Sequence, residues 1–383
     1  MVYTSSFQSL ARGNRMNRVI KGLFSTAVIL VALSYSSAQS PEQSTKPAEQ
    51  QFKNIQVLKG VPADEVVPAM QFISSSLGVQ CEFCHVRGAF EKDDKKPKQV
   101  ARKMIEMQMA IDRDNFKGEQ AVTCFSCHRG AENPVAVPVL AEEAPKSAER
   151  EPSEASAQAL PSADDILNKY VQAVGGAAAL EKITSRIETG TVNVGGRDLA
   201  VEVFAKVPNK RIAIVHTPNG DTITAFDGHT GWLGNPGPRP PREMSRQETE
   251  TVSFDAAFRR PTELKTMFAQ FRVRPSEKIN GHDAVQVIGL NQDQPPTRLF
   301  FDKDSGLLVR TIRYAQTPVG RNPTQIDYAD YREEGGVKIP LQWTVARPGG
   351  RFTIQISKVE QNVPIADSKF EKPAAGGSTT PGK

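Results

Sequence analysis

All four cysteines of the chain fall in two pentapeptides, Cys81-Glu82-Phe83-Cys84-His85 and Cys124-Phe125-Ser126-Cys127-His128. C-x-x-C-H is the attachment signature of c-type haem. Two thiols one helical turn apart add to the two vinyl groups of one porphyrin, and the adjacent histidine supplies the proximal imidazole to its iron. The bare C-x-x-C spacing also serves four-thiolate zinc sites, redox dithiols and structural disulfides. None of those needs a histidine directly after the second cysteine, and here it occurs twice. The expectation is two covalently bound haem c groups. Cys81, Cys84, Cys124 and Cys127 would carry the thioethers, and His85 and His128 would be the proximal iron ligands.

The start of the chain agrees with that chemistry. Residues 1–38 read as an export signal: Arg15, Arg18 and Lys21 precede an apolar run over 22–33, and Ser36-Ser37-Ala38 offers small residues for cleavage. Covalent haem attachment in bacteria takes place outside the cytoplasm, so the expected location is the periplasm, or the membrane surface if the segment is retained as an anchor. No cysteine lies near the cleavage site, which excludes a lipid anchor there.

With 383 residues the chain has room for about two domains. Composition divides it into a linker over 39–53, a dihaem cytochrome segment over 54–140, a polar linker over 141–161, a β-rich domain over 162–372 and a tail over 373–383. Little apolar content lies in the second linker, so little should hold the halves together. The net charge of +5 is spread along the chain, without a basic run interleaved with aromatics, which argues against nucleic acid as a partner.

Helical spacing predicts a helix over 63–77, with Val67, Met70, Ile73 and Leu77 on one face and Gly78 as its stop. Pro68 predicts a late start or a kink. A second helix is predicted over 97–114, with Pro97 in its first turn and Val100, Met104, Met107 and Ile111 as the apolar stripe. Helix, turn and C-x-x-C-H thus occur twice. A methionine thioether can be the second axial ligand of such a haem. Met70 is placed to serve the first, while Met104, Met107 and Met109 compete for the second. Packing against porphyrin or core is the plainer role for any of them.

Residues 54–139 resemble the cytochrome c subunit of photosynthetic reaction centres. The resemblance rests on Pro68-Ala69-Met70-Gln71-Phe72, on Cys81 to His85, on Ala101-Arg102-Lys103-Met104-Ile105-Glu106-Met107, and on Val122-Thr123-Cys124-Phe125-Ser126-Cys127-His128-Arg129-Gly130. It implies that Met70 and Met104 are the distal iron ligands. It also implies single-electron transfer with a redox partner protein or a membrane electron-transfer complex such as a reaction centre. The family's usual form carries four haems, and this chain has motifs for two. The rival functions are a respiratory or other non-photosynthetic dihaem carrier and a haem peroxidase, which would need an open distal position.

Beyond residue 161 the sequence predicts two short helices over 162–183, with Ser162 and Asp165 resembling a capping box. Antiparallel strands follow, with a polar helical interlude over 245–268. This half is similar to periplasmic lipoprotein-carrier and lipoprotein-sorting proteins, on Ala205-Lys206-Val207-Pro208-Asn209-Lys210 and Phe226-Asp227-Gly228-His229-Thr230-Gly231-Trp232. That similarity implies an open half-barrel and an apolar ligand. His216, His229 and His282 are scattered over strand and turn positions, and no catalytic constellation stands out. The expected fold class is therefore α+β: a small helical dihaem segment followed by a curled antiparallel sheet with helices on one face.

Overall fold

The computed structural model describes residues 46–134, 160–237, 240–348 and 350–373. The export signal read over 1–38, nearly all of the linker read over 141–161 and nearly all of the tail lie outside the described residues. Helices come first and a large antiparallel sheet follows, so the class is α+β.

The one-turn helix α1 (Ala48–Gln51) lies in the stretch read as a linker. Its Ala48 is fully buried and donates its N–H to the Val61 carbonyl at 2.7 Å. A single small buried residue leaves no periodic trace in a polar sequence. Helix α2 (Ala63–Leu77) does not start late: Pro68 is inside it. The Pro68 carbonyl accepts a hydrogen bond from Asn322 Nδ2 at 2.7 Å, so the helix is tied to a distant element at this point. The two motifs form the single turns α3 (Cys81–Cys84) and α5 (Cys124–His128), and between them runs α4 (Lys96–Asn115) with Pro97 in its first turn.

The buried side of α4 is not the predicted stripe. Ile105, Gln108 and Asp112 are buried, whereas Val100, Met104 and Met107 are exposed. Gln108 Nε2 donates to Asp112 Oδ2 and to the Val122 carbonyl at 2.5 and 2.8 Å, and Asp112 Oδ1 accepts the Val122 N–H at 2.9 Å. These bonds satisfy the Asp112 carboxylate and the Gln108 amide nitrogen, while Gln108 Oε1 is buried without a partner, and they fix the loop that leads into Cys124.

The packing of the two repeats is crossed. Helix α2 packs against α5, and α4 packs against α3. The closest approach is backbone on backbone. Gly78, at φ +68°, ends α2, and a Cβ added there would lie 2.1 Å from the Gly130 carbonyl oxygen. The Gly130 N–H donates to the Ser76 carbonyl at 2.8 Å. Gly78→Ala combines left-handed strain with a backbone clash, and it is expected to cost about 3 kcal/mol. The denaturant midpoint followed in the visible spectrum checks this; an unchanged midpoint would show that the contact yields freely.

In the second half α6 (Ala163–Ala173) begins at Ser162, whose Oγ accepts the Asp165 N–H at 3.1 Å, an N-cap without the reciprocal bond of a full capping box, and α7 (Ala177–Glu181) follows. Strands β1 (Ser185–Val194), β2 (Arg197–Lys206), β3 (Lys210–Thr217), β4 (Gly220–Phe226), β5 (Gly231–Gly234) and β6 (Arg242–Glu243) form the first meander. Helices α8 (Arg246–Ala256) and α9 (Arg260–Met267) interrupt it. Then come β7 (Gln270–Ile279), β8 (His282–Leu290), β9 (Thr297–Asp302), β10 (Leu308–Thr317), β11 (Gly320–Glu334), β12 (Val337–Arg347) and β13 (Gly350–Gln361). Pairing of β1 with β13 joins the two meanders into one antiparallel sheet.

The core of this half packs Leu167 and Tyr170 of α6 and Leu264 of α9 onto Val287, Leu299, Phe301 and Val337 of the sheet. The fold gives the apolar ligand expected of this half no support. Strands β1 and β7 are irregular. Gly190 sits inside β1 at a register shift, and β7 is an exposed edge strand carrying Pro275, where a missing N–H is tolerated.

The hairpin of β10 and β11 reaches the helical segment. Val319 at its tip is fully buried in a cluster with Leu58, Ala69, Ile73 and Ile105. Gln120 Nε2 donates to the Thr317 carbonyl, and Gln316 Nε2 donates to Gln120 Oε1, each at 2.6 Å. A Cβ at Gly320 would lie 2.5 Å from Phe72 Cζ, so glycine is what allows this approach. The expectation that little holds the halves together is corrected by this contact. The linker is polar, but the hairpin makes the bond in its place.

Candidate haem-binding site

Each motif is a single helical turn with its cysteines three residues apart, which puts both thiols on one side. The first follows directly from the left-handed stop at Gly78. The second is closed at its start by a capping box, in which Ser126 Oγ accepts the Thr123 N–H at 3.0 Å. All four thiols are free; Cys81 and Cys127 are exposed, and Cys84 and Cys124 are half-buried. Burial pushes the Cys84 thiol up, against the pull of Lys95, and burial likewise pushes the Cys124 thiol up. Among the described residues no three His, Cys, Asp or Glu side chains come together as a metal-ligand group, so the four thiols do not make a zinc set.

The histidines are oriented alike. His85 Nδ1 lies 3.0 Å from the Phe90 carbonyl oxygen, and His128 Nδ1 lies 3.1 Å from the Ala131 carbonyl oxygen. A carbonyl can only accept, so in both rings this contact is made by an N–H at Nδ1, leaving Nε2 on the far side of the ring. Fixing one ring nitrogen on a backbone carbonyl is how proteins present the other to a metal. The Phe90 ring also stands beside His85, with centroids 5.4 Å apart.

The surroundings fit a porphyrin. Exposed large apolar side chains concentrate around the motifs: Phe90, Met104, Met107, Met109, Phe116 and Phe125 are each more than one-third exposed. Such a concentration of apolar surface marks a region meant to be covered. Met70 is half-buried on α2 and packs against the same cluster as Cys124, while Met104 stands exposed on α4 with Met107 and Met109.

Lys98 is 8% exposed, and its Nζ donates to the Phe90 and Lys92 carbonyls, each at 2.8 Å. It also pairs with Asp93 at 3.0 Å. Arg102 binds the two Asp93 oxygens at 3.0 and 2.8 Å, so its guanidinium is committed to that carboxylate. The Arg102 and Lys98 bonds hold the Asp93 carboxyl well below the usual carboxylate range. Lys95 Nζ donates to the Glu82 carbonyl within the first motif. The sequence reading missed this network because its members are five and nine residues apart with no shared period.

The three scattered histidines lie elsewhere. His216 sits between Asp221 and Glu202 at 2.8 and 3.3 Å, His282 is 3.1 Å from Asp302, and His229 belongs to the Asp227 turn. A cleft of about 950 Å³ opens between the hairpin and the loop before the second motif. Phe72, Gln120, Phe125, Tyr314 and Arg321 line it.

Residues 3–174 match the family model described as photosynthetic reaction centre cytochrome C subunit. The photosynthetic reaction center cytochrome c subunit of Thermochromatium tepidum is 36% identical over 114 residues, which cover 27% of this chain and 28% of that protein. Cytochrome c-554 of Chloroflexus aurantiacus is 32% identical over 87 residues, 21% of each chain. The chain thus spans about a quarter of the length of the curated relatives it matches. A LolA superfamily protein from Nitrosomonas europaea aligns with 55% of this chain and 98% of its own, at 12% identity and a TM-score of 0.37.

Proposed function

We propose that this protein is a dihaem c-type cytochrome that carries single electrons on the exported side of the membrane. In this reading residues 54–140 are the cytochrome part and residues 162–372 the β-rich part. Cys81 and Cys84 hold one haem, and Cys124 and Cys127 hold the other. The observation that carries the reading is the repeated geometry: a one-turn C-x-x-C-H helix whose histidine has Nδ1 bound to a backbone carbonyl. The similarity to reaction-centre cytochrome c subunits supports it independently.

Haem, when bound, supplies an iron that takes up and releases one electron. The chain's own residues do the rest. The paired thiols fix the porphyrin covalently. The Phe90 and Ala131 carbonyls hold the His85 and His128 rings so that Nε2 faces away from the backbone. Met70 and Met104 are the proposed distal ligands, which leaves the electron as the only thing transferred and no open position for a peroxide. The proposed partner is a membrane electron-transfer complex. Among the described residues no helix is long and apolar enough to cross a membrane.

Redox titration of the full-length exported protein, followed in the visible spectrum, tests the function; it should show two one-electron transitions. The distal ligands have their own check. Met70→Ala and Met104→Ala should each remove about half of the weak long-wavelength absorption that methionine sulfur gives with ferric haem. Loss on Met107→Ala with none on Met104→Ala would transfer the role to Met107.

A further inference from the structure

The two proposed haem sites differ in one respect that the repeated motif does not explain. The Phe90 carbonyl that accepts from His85 Nδ1 also accepts from the buried Lys98 ammonium, at 2.8 Å. The matching carbonyl at the second motif, Ala131, accepts from His128 with no ammonium beside it among the described bonds. We propose that Lys98 is a positioning residue that sets the potential of the haem on Cys81 and Cys84, holding it higher than the carbonyl alone would. This rests on the cytochrome reading above.

Two effects act with the same sign. An oxygen that already accepts from an ammonium is a weaker acceptor for the imidazole N–H. The His85 ring is then a poorer electron donor, and a poorer donor favours ferrous iron. The buried cation also opposes the extra positive charge of the ferric state, through a medium that screens it less than water does. Asp93 offsets part of this charge, yet it is shared with Arg102, so Lys98, Arg102 and Asp93 together leave one positive charge. Arg129 beside His128 is exposed, and solvent screens it.

The test uses the full-length, haem-loaded protein and spectroelectrochemical titration. Lys98→Gln keeps a donor and removes the charge. It should raise the ferric-to-ferrous ratio of one haem about tenfold at a fixed applied potential, a fall of ~59 mV for one electron, and leave the other haem alone. Asp93→Asn should move the same haem in the opposite direction, which a general loosening of the fold would not do. In hyperfine-shifted proton spectra one imidazole N–H resonance should move with it. No shift in either variant, shifts of the same sign, or equal shifts of both haems would overturn the proposal. If Lys98→Gln fails to load its haem, Asp93→Asn decides alone, and the absence of an upward shift overturns it. The mass of the wild-type protein separates the two claims. Wild type without two porphyrins sinks the cytochrome reading itself, whereas two porphyrins with unmoved potentials sink only the role of Lys98.

Discussion

Cys81→Ser with Cys84→Ser is expected to remove one covalent haem and leave the second in place, and Cys124→Ser with Cys127→Ser is expected to do the reverse. In the proposed attachment each pair is the whole covalent link of its porphyrin, and the sequence holds no other cysteine. Intact mass after acid–acetone extraction should therefore fall by one porphyrin in each double variant, and the Soret absorbance should drop by about half. The quadruple variant should retain none. It should also lose helicity in residues 54–134, because the apolar side chains around the motifs would be left without cover. Two retained porphyrins in either double variant, or native helicity in the quadruple one, would contradict the proposed attachment.

Val319→Asp should be the most damaging single change outside the motifs. The side chain is fully buried among the apolar side chains of Leu58, Ala69, Ile73 and Ile105. Burial of an unpaired carboxylate is expected to cost on the order of 3–5 kcal/mol. Val319→Ala should cost only about 1–2 kcal/mol, the range of a small cavity. The loss should fall on the helical segment, since the sheet keeps its own core around Leu167, Leu264 and Phe301. Thermal melts separate the two: the visible haem bands should go at a lower temperature than the sheet signal in the far ultraviolet. A Val319→Asp protein that melts with the wild-type midpoint would show that the hairpin only rests against the helices.

The parts of the site that depend on short-range chemistry could be read from the chain. C-x-x-C-H specifies its own turn, Gly78 its own stop, and Ser162 its own cap. What could not be read depends on pairings across long separations. Gln108 and Asp112 look like solvent residues until the Val122 backbone is placed between them. Lys98 looks like a solvated residue at the start of a helix until Phe90 and Asp93 fold back over it. The hairpin tip is a polar turn with one valine, and nothing local says that its pocket lies some 250 residues earlier, as the Asn322 bond to Pro68 shows. The stripe on α4 shows the opposite error. Its spacing is regular, but an apolar face is a statement about what covers it, and the covering group is not always made of protein.

The crossed packing bears on how such chains can change. Because α2 rests on α5 and α4 on α3, neither repeat is a complete module; each supplies the wall that the other lacks. The bond from Gly130 to Ser76 closes the pair by returning the exit of the second repeat to the end of the first helix. A duplication or deletion of a single repeat would therefore leave one motif without its wall. On this packing the couple, not the single repeat, is the smallest set in which both motifs keep their packed helix.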